Sequence, residues 1–286
     1  MNFTAVIPAR NEESGIARCI GSIVSAAQRA SAVAEVLVVD DGSSDGTASR
    51  AEASGARVLR HETRLGALAA WATGVNASQS PVVVFVDADC VIDEEALVLL
   101  LEAVERPGVG VASGRAVPVE ENYHGNRSWG GGAVRGSARF SAALLDELKA
   151  RLGDHDFVPL GRLMAVRREA WHIGNTQLPH CDRQVASAAR RAGWQAVWVP
   201  QAIVYYDVPA SFRELQSDWR RTRLALARSP QRFDVIPRAV QVAAALAAFR
   251  AAPLDGLYWM GCRARLMWGV SGRRDRAWTR EPVGWD

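Results

Sequence analysis

Two aspartates, Asp87 and Asp89, follow the apolar run VVVFV at residues 82–86. Side chains alternate along an extended chain, so these two carboxylates point to the same side and repel each other. A hard divalent cation removes that repulsion, and Mg²⁺ commonly binds one or two carboxylates together with substrate phosphates. The pair therefore predicts a site for Mg²⁺ or Mn²⁺. The alternative is that both acids are solvated while Asp93 caps the next helix.

Two earlier apolar runs also end in polar residues. FTAVIP at 3–8 leads into ARNEE, and EVLVVD at 35–40 leads into DGSSDGT. In the second segment Gly42 permits a turn that β-branched residues resist, and Asp45 is suited to capping the following helix. The same turn-and-cap interpretation is open for Asp41. We expect ligand contact there instead, because a carboxylate can accept a hydrogen bond from the N–H of a pyrimidine ring.

Apolar runs alternate with helical patterns along the first 115 residues. Strands that are apolar throughout, each followed by a helix, are typical of a parallel α/β sheet covered on both faces. Ligands of such sheets bind outside the carboxyl ends of the strands, which is where the acids described above lie. The Gly-rich segment GNRSWGGGAVRG is predicted to be a loop. Strands are predicted at 3–8, 35–40, 56–60, 81–86, 161–167, 195–200 and 202–206, and helices at 12–30, 45–53, 66–77, 94–104, 138–151 and 182–192.

Charge is distributed unevenly over the 286 residues, whose net charge is +3. Residues 211–286 carry 14 arginines, no lysine and 7 acidic residues, so the rest of the chain is slightly acidic. This basic end indicates either an anionic partner or solvated helix faces. We expect no nucleic-acid partner. The four scattered cysteines form no CxxC pair and favour a reducing cytoplasm. The longest apolar segment, 239–249, is shorter than the ~20 residues of a membrane span.

Several segments, in this order and spacing, resemble family 2 glycosyltransferases with the GT-A fold. The resemblance covers residues 3–207 and implies a Rossmann-like, mostly parallel α/β sheet flanked by helices, with a helical extension after it. The segments are VIPARNEE, VVDDGSSDGT, TRLGALAAWATG, VFVDADC, GRLMAVRREAW and HCDRQVASAARRAGWQAVWVP.

The resemblance assigns roles to individual positions. Asp87 would contact the ribose and share the metal site with Asp89, whose metal bridges the diphosphate, and Ala88 between them would also belong to the donor site. Arg64 would lie near the nucleobase or the pyrophosphate. The nucleoside would be held by Pro8, Ala9, Arg10, Glu12 and Asp41.

An inverting transfer needs a base to take the proton of the acceptor hydroxyl. By resemblance, that base is the last acid of an acidic pair that opens a helix, which places it at Asp182, with Cys181 where relatives often have the other acid. The alternative role of Asp182 is to cap the helix. Relatives often have a histidine after the later strand as an extra metal ligand; this chain has Tyr206 and Asp207 instead. For Asp207 we expect a strand-end turn, with metal ligation as the alternative.

The segment FRELQSDWRRTRL (212–224) resembles a helix that lines the diphosphate and acceptor in membrane-linked relatives. The candidates there are Gln216, Trp219, Arg220 and Arg221. Residues 235–270 are consistent with two helices on a bilayer surface, with Trp259 and Trp268 at the interface. A helical cap on the catalytic domain and a homodimer interface explain the same pattern and are slightly favoured.

The sequence thus predicts a GT-A catalytic domain at 1–210 and a basic, Trp/Arg-rich helical extension at 211–286. Within the first, 1–117 would bind the nucleotide sugar and 118–210 the acceptor. The expected activity is metal-dependent, inverting transfer of a sugar, with UDP as the expected nucleotide, to a hydroxyl of a glycan, lipid-linked or small-molecule acceptor. The alternatives are a retaining transferase and a nucleotide-sugar-binding protein without activity. The expected location is cytoplasmic, with peripheral contact at the inner membrane face as an alternative.

Overall fold

The computed structural model describes residues 2–119, 131–152, 161–176, 181–208, 213, 216 and 238–271. Its strands are β1 (Asn2–Ala9), β2 (Val33–Asp40), β3 (Arg57–Arg60), β4 (Val82–Val86), β5 (Cys90–Ile92), β6 (Val109–Pro118), β7 (Leu163–Arg167) and β8 (Gln195–Tyr206). Its helices are α1 (Ile16–Arg29), α2 (Thr47–Ala53), α3 (Ala67–Ala77), α4 (Ala96–Glu105), α5 (Gly131–Leu152), α6 (Cys181–Arg191), α7 (Arg238–Ala251) and α8 (Pro253–Ser271).

The strands form one mixed, mostly parallel sheet in the order β3-β2-β1-β4-β7-β6-β8-β5. β1 pairs in parallel with β2 and with β4, and β2 pairs in parallel with β3. β7 runs antiparallel to both of its neighbours, β4 and β6. The first residue of β7 therefore lies beside the last residue of β4, in the pair Leu163 and Val86. The predicted fold class is confirmed.

The two faces of the sheet are covered by different helices, because neighbouring strand residues point to opposite faces. In β1, Phe3 and Ile7 belong to the apolar cluster that includes α1 and α4, whereas Val6 belongs to the cluster that includes α3 and α6. Trp71 of α3 stacks on Phe85 of β4 with ring centroids 4.4 Å apart. Burial on both faces explains why the central strands are apolar without interruption.

Two predicted elements differ from the structure. α5 begins at Gly131, so the predicted loop is wrong over 131–136. Glycine disfavours a helix, but here it permits close packing: a Cβ at Gly136 would lie 2.6 Å from the ring of Tyr258 in α8. The predicted strands 195–200 and 202–206 are a single strand, β8, whose register against β6 shifts between Ser113 and Arg115.

The C-terminal helices α7 and α8 pack on α5. The Arg139 guanidinium on α5 donates to both carboxylate oxygens of Asp255, at 2.8 and 2.7 Å. Phe140 packs against Phe249 of α7 and Trp259 of α8. None of the helices in the described ranges is long and apolar enough to cross a bilayer. The predicted domain boundaries, which depend on residues 209–212, stay predictions.

A matched pair of helical glycines tests the packing of α3 on the sheet. A Cβ at Gly74 would collide with the Val6 side chain, whereas one at Gly21 in α1 would meet no atom within 4 Å. We expect Gly74→Ala to lower the free energy of unfolding by about 1–3 kcal/mol. Gly21→Ala should leave it unchanged or raise it by up to ~1 kcal/mol, because alanine favours a helix. Urea unfolding measures both, and equal midpoints for the two variants would contradict this packing.

Candidate active site

The loops that follow β1 and β2 are joined by hydrogen bonds at the carboxyl edge of the sheet. Asn11 has a φ of 56°, a conformation that asparagine tolerates better than most residues. Its N–H donates to Ser43 Oγ, and its Oδ1 accepts from the N–H of Ser44, both at 2.9 Å. The N–H of Glu12 donates to Thr47 Oγ1 at 2.8 Å. The segment predicted to hold a nucleoside is therefore fixed against the loop that carries Asp41.

Asp41 is 5% exposed, and its carboxylate accepts hydrogen bonds from three groups. Oδ1 accepts from the N–H of Leu65 and from His61 Nδ1, and Oδ2 accepts from the N–H of Gly66, each at 2.8 Å. Because an ionised carboxylate can only accept, His61 Nδ1 carries the proton, and Nε2 lies 3.0 Å from Thr73 Oγ1. Burial raises the pKa of Asp41, but these hydrogen bonds outweigh it and hold the pKa below its ordinary value. Asp41 thus fixes the segment that contains Arg64.

Asp45 binds the start of α2, as expected, but from the position before the N-cap residue, which is Gly46. Its Oδ1 accepts the N–H of Thr47, the first residue of that helix, at 3.0 Å. Asp93 similarly accepts the N–H of Glu95, at 3.1 Å, just before α4. These two acids are occupied by local structure.

Asp87 and Asp89 lie directly beyond the end of β4. They face the guanidinium of Arg162, a residue that the sequence motifs did not identify. Arg162 Nη1 lies 3.6 Å from Asp89 Oδ2 and 4.0 Å from Asp87 Oδ2. The Arg162 guanidinium also lies 4.0 Å above the centre of the Tyr206 ring. The backbone explains this position, because the N–H of Asp87 donates to the carbonyl of Arg162 at 3.2 Å. Both aspartate side chains stay partly exposed, at 37% and 44%.

Two acids in this region, Glu12 and Asp87, have a raised pKa. Burial, followed by the charges of Asp89, Asp45 and Asp87, raises the pKa of Glu12 to about 7. Burial also raises the pKa of Asp87 to about 6; the charges of Asp89 and Asp182 add to this, and Arg162 opposes it. The region favours an added positive charge.

The group fits a hard divalent cation. Asp87, Asp89 and Cys90 each offer one ligand atom, and these atoms lie within 4.8 Å of one another. Burial and the adjacent Asp89 and Asp87 raise the pKa of the Cys90 thiol well above its ordinary value, so the thiol stays protonated. The two carboxylates are therefore the better candidate ligands of the three, and oxygen ligands suit Mg²⁺ and Mn²⁺.

Asp182 lies in the first turn of α6 and belongs to the same region, since its charge contributes to the raised pKa of Asp87. Its Cβ lies close to Gly161, where an added Cβ would come within 3.3 Å of Asp182 and 3.0 Å of the Trp71 ring. Burial raises the pKa of Asp182, although N–H groups of Arg183 and Gly161 and the charge of Arg183 oppose this. A half-buried carboxylate with a raised pKa is suited to accepting a proton.

The remaining predicted site residues differ in burial and in position, and some lie outside the described residues. Pro8 and Ala9 end β1 and Arg10 follows it, and the carbonyl of Ala9 accepts the N–H of Asp41 at 2.8 Å. Ala88 is buried, with its carbonyl 3.4 Å from where a Cβ of Gly15 would be. Arg64 is exposed and Gln216 is half-buried. Asp207 follows β8 directly and pairs with Arg18 at 3.2 Å. Trp219, Arg220 and Arg221 lie outside the described residues.

Sequence reasoning missed three residues of this region. His61 follows β3, and its place after a strand at the carboxyl edge was the available signal. Arg162 gave no signal, because its position depends on the antiparallel direction of β7. Lys149 is buried on α5 with Nζ 4.8 Å from the centre of the Trp198 ring, and burial lowers its pKa to about 8 while Asp146 and Asp182 oppose this. It is the only lysine in the sequence.

Comparison with solved structures shows the same fold in glycosyltransferases. The mannosyltransferase PcManGT from Pyrobaculum calidifontis, in complex with GDP-Man and Mn²⁺, matches with a TM-score of 0.57 and 18% identity, over 94% of this chain and 75% of that chain. Glucosyl-3-phosphoglycerate synthase from Mycobacterium tuberculosis, in complex with Mn²⁺, UDP and phosphoglyceric acid, matches with a TM-score of 0.54 and 22% identity, over 80% of each chain.

Comparison of sequences identifies the family. An uncharacterized glycosyltransferase of Mycobacterium tuberculosis is 32% identical over 200 residues, which are 68% of this chain and 81% of that protein. Matches to other curated relatives span as little as 38% of the relative's length. The family model described as "Glycosyl transferase family 2" matches residues 4–173, more than half of the chain. With the GT-A-like sheet and the acids at its carboxyl edge, this match shows that the chain belongs to glycosyltransferase family 2.

Proposed function

We propose that this protein transfers a sugar from a nucleoside diphosphate sugar, with UDP as the expected nucleotide, to an acceptor hydroxyl, with inversion at the anomeric carbon. The observation that carries the proposal is that Asp87 and Asp89 lie beside Arg162, while Asp182 of α6 lies next to the preceding residue, Gly161. Asp87 and Asp89 are suited to holding a cation against the leaving diphosphate, and Asp182 is suited to taking the proton of the acceptor.

The leaving group is the first requirement of such a transfer, because a diphosphate departs with several negative charges. Asp89, with Asp87, would hold Mg²⁺ or Mn²⁺, which when bound stabilises the developing charge on the diphosphate oxygens. Arg162 already partly neutralises both carboxylates, at 3.6 and 4.0 Å. The Mn²⁺ in the two structures named above supports this role, since both have the same fold.

The donor would lie along the interlocked loops after β1 and β2. We assign the nucleoside to Pro8, Ala9, Arg10, Glu12 and Asp41, and place Arg64, Asp87 and Ala88 on the same donor. Asp41 has one acceptor position left on Oδ2 after its three internal hydrogen bonds, and we assign this position to an N–H of the base. We also assign a diphosphate contact to Arg220 and Arg221, from sequence resemblance alone.

The acceptor hydroxyl would lose its proton to Asp182. The raised pKa of this carboxyl makes its carboxylate a stronger base than an exposed aspartate. Gly161 leaves space beside it, because any larger residue would meet Asp182 and Trp71. The carboxylate is oriented by N–H groups of Arg183 and Gly161, so it does not depend on the partner acid that Cys181 replaces.

Asp182→Asn tests the base. Asparagine keeps the size and one acceptor oxygen but cannot take a proton, so we expect kcat to fall by a factor of about 10²–10⁴. The affinity for UDP should stay within about threefold of wild type, because the donor site is untouched. Asp93→Asn, a change at a capping aspartate, is the matched control and should retain activity. Turnover of Asp182→Asn at the wild-type rate would refute the assignment, and proton NMR of the product separates inversion from retention.

Asp89→Asn tests the cation site. Titration of Mn²⁺ by calorimetry, with UDP present, should show affinity reduced by about 10-fold or more, because one of two charged ligands is lost. Asp93→Asn should bind Mn²⁺ as wild type does. Undiminished Mn²⁺ binding by Asp89→Asn would place the cation elsewhere.

Asp41→Asn tests whether the Asp41 carboxylate stabilises the donor loop, through the pH dependence of the free energy of unfolding. The pKa of this carboxyl is lowered in the folded protein, so its stabilisation is complete above the ordinary value of 3.8 and is lost as pH falls through the folded-state pKa. At pH 7 we expect the variant to lose roughly 2–4 kcal/mol of unfolding free energy, since hydrogen bonds to a charged acceptor are removed. The difference from wild type should shrink below pH 4 in urea titrations. A difference that stays constant from pH 7 to pH 3 would contradict this role.

A further inference from the structure

α7 and α8 present large apolar side chains to solvent. Ten large apolar residues in the described ranges are exposed, and six of them lie between positions 242 and 260. Single exposed apolar residues are normal on a soluble surface, but a concentration of this kind is typical of an interaction surface. We call this set the apolar face; it consists of Val242, Leu246, Leu254, Leu257, Tyr258 and Met260, which are 45–70% exposed.

The side chains of the apolar face are largely exposed, although Tyr258 also borders Gly136 of α5. Ala244 and Ala248 are buried on α7, and Gly256 on α8 packs against Phe249 and Phe140. The inward positions are thus filled by small residues together with the half-buried rings of Phe249 and Trp259. A surface helix in water usually carries polar residues on its outer face. Packing on α5 instead leaves six large apolar side chains of α7 and α8 exposed.

The charges around the apolar face are almost all positive. Residues 238–271 contain four arginines and one acidic residue, Asp255, both of whose carboxylate oxygens are bound by Arg139. Arg250 and Arg263 are exposed, and the Arg263 guanidinium lies 4.9 Å from the centre of the Trp259 ring. A second copy of this region would bring no available carboxylate to these cations, because its one acidic residue, Asp255, is already bound by Arg139. An apolar surface bordered by arginines complements anionic lipid headgroups above acyl chains.

We propose that α7 and α8 bind the surface of an anionic bilayer, with the apolar face inserted among the headgroups and Arg250 and Arg263 against lipid phosphates. The helices lie in the plane of the surface, in keeping with the absence of a membrane-crossing helix among the described residues. This inference does not rest on the proposed catalytic function, so either one can fail without the other.

Vesicle cosedimentation of the full chain tests the proposal. Wild-type protein should bind vesicles of phosphatidylcholine with about one-third phosphatidylglycerol at least about tenfold more tightly than pure phosphatidylcholine vesicles, and salt should weaken this binding. The double variant Leu254→Ser/Leu257→Ser should lose binding to both. Val33→Ser on β2, at a side chain 69% exposed outside the apolar face, is the matched control and should bind as wild type does.

A second double variant tests the role of the arginines, and thermal melting checks that every variant is folded. Arg250→Gln/Arg263→Gln should reduce binding to anionic vesicles severalfold and leave the weak binding to neutral vesicles unchanged. Thermal melting should show wild-type stability for each variant, since all the changed side chains are exposed. Absence of vesicle binding by wild type, or unchanged binding by the leucine double variant, overturns the proposal. A dimer in light scattering that the leucine double variant abolishes also overturns it, in favour of self-association.

Discussion

Repulsion between carboxylates beyond the end of β4 is the constraint that organises this edge of the sheet. Burial raises the pKa of both Glu12 and Asp87; the charges of Asp89 and Asp87 add to the shift of Glu12, and those of Asp89 and Asp182 add to the shift of Asp87. Such a cluster is unfavourable unless positive charge is supplied. Arg162 supplies part of it and is itself held over the Tyr206 ring. Because Arg162 neutralises only part of the negative charge, the region is suited to a divalent cation.

The direction of one strand makes this arrangement possible. β7 runs antiparallel to β4, so its first residue, and not its last, reaches the carboxyl edge. That reversal brings the Gly161–Arg162 turn beside Asp87 and places Asp182 next to Gly161. In a purely parallel sheet, Arg167 would occupy this edge and Arg162 would lie at the opposite one. The mixed topology therefore lets two separate segments contribute charge of opposite sign to one place.

Local sequence patterns reveal some residues of this site, whereas others depend on the order and direction of the strands. Asp87 and Asp89 were identifiable because a strand that is apolar throughout, followed by acids spaced to share one side, is a local pattern. Arg162 was not, because its neighbours come from strand order and direction, which are set by packing between distant segments. The start of α5 was missed for a related reason. Its glycines oppose a helix locally, but Gly136 makes room for Tyr258 and Asp255, and this tertiary contact outweighs the local preference.

The loops after β1 and β2, to which we assign the donor in our proposal, are held rigidly against each other. The loops after β1 and β2 are joined through side-chain and backbone hydrogen bonds of Asn11, Ser43 and Thr47, so they are fixed before any ligand arrives. Asp41 extends this network to the segment before α3 while keeping one acceptor position on Oδ2. If that position accepts the N–H of a base, the carboxylate that recognises the nucleotide is also the one that shapes its pocket. Binding of the nucleotide then requires little reorganisation, because the Asp41 carboxylate is already ionised, oriented and largely removed from water.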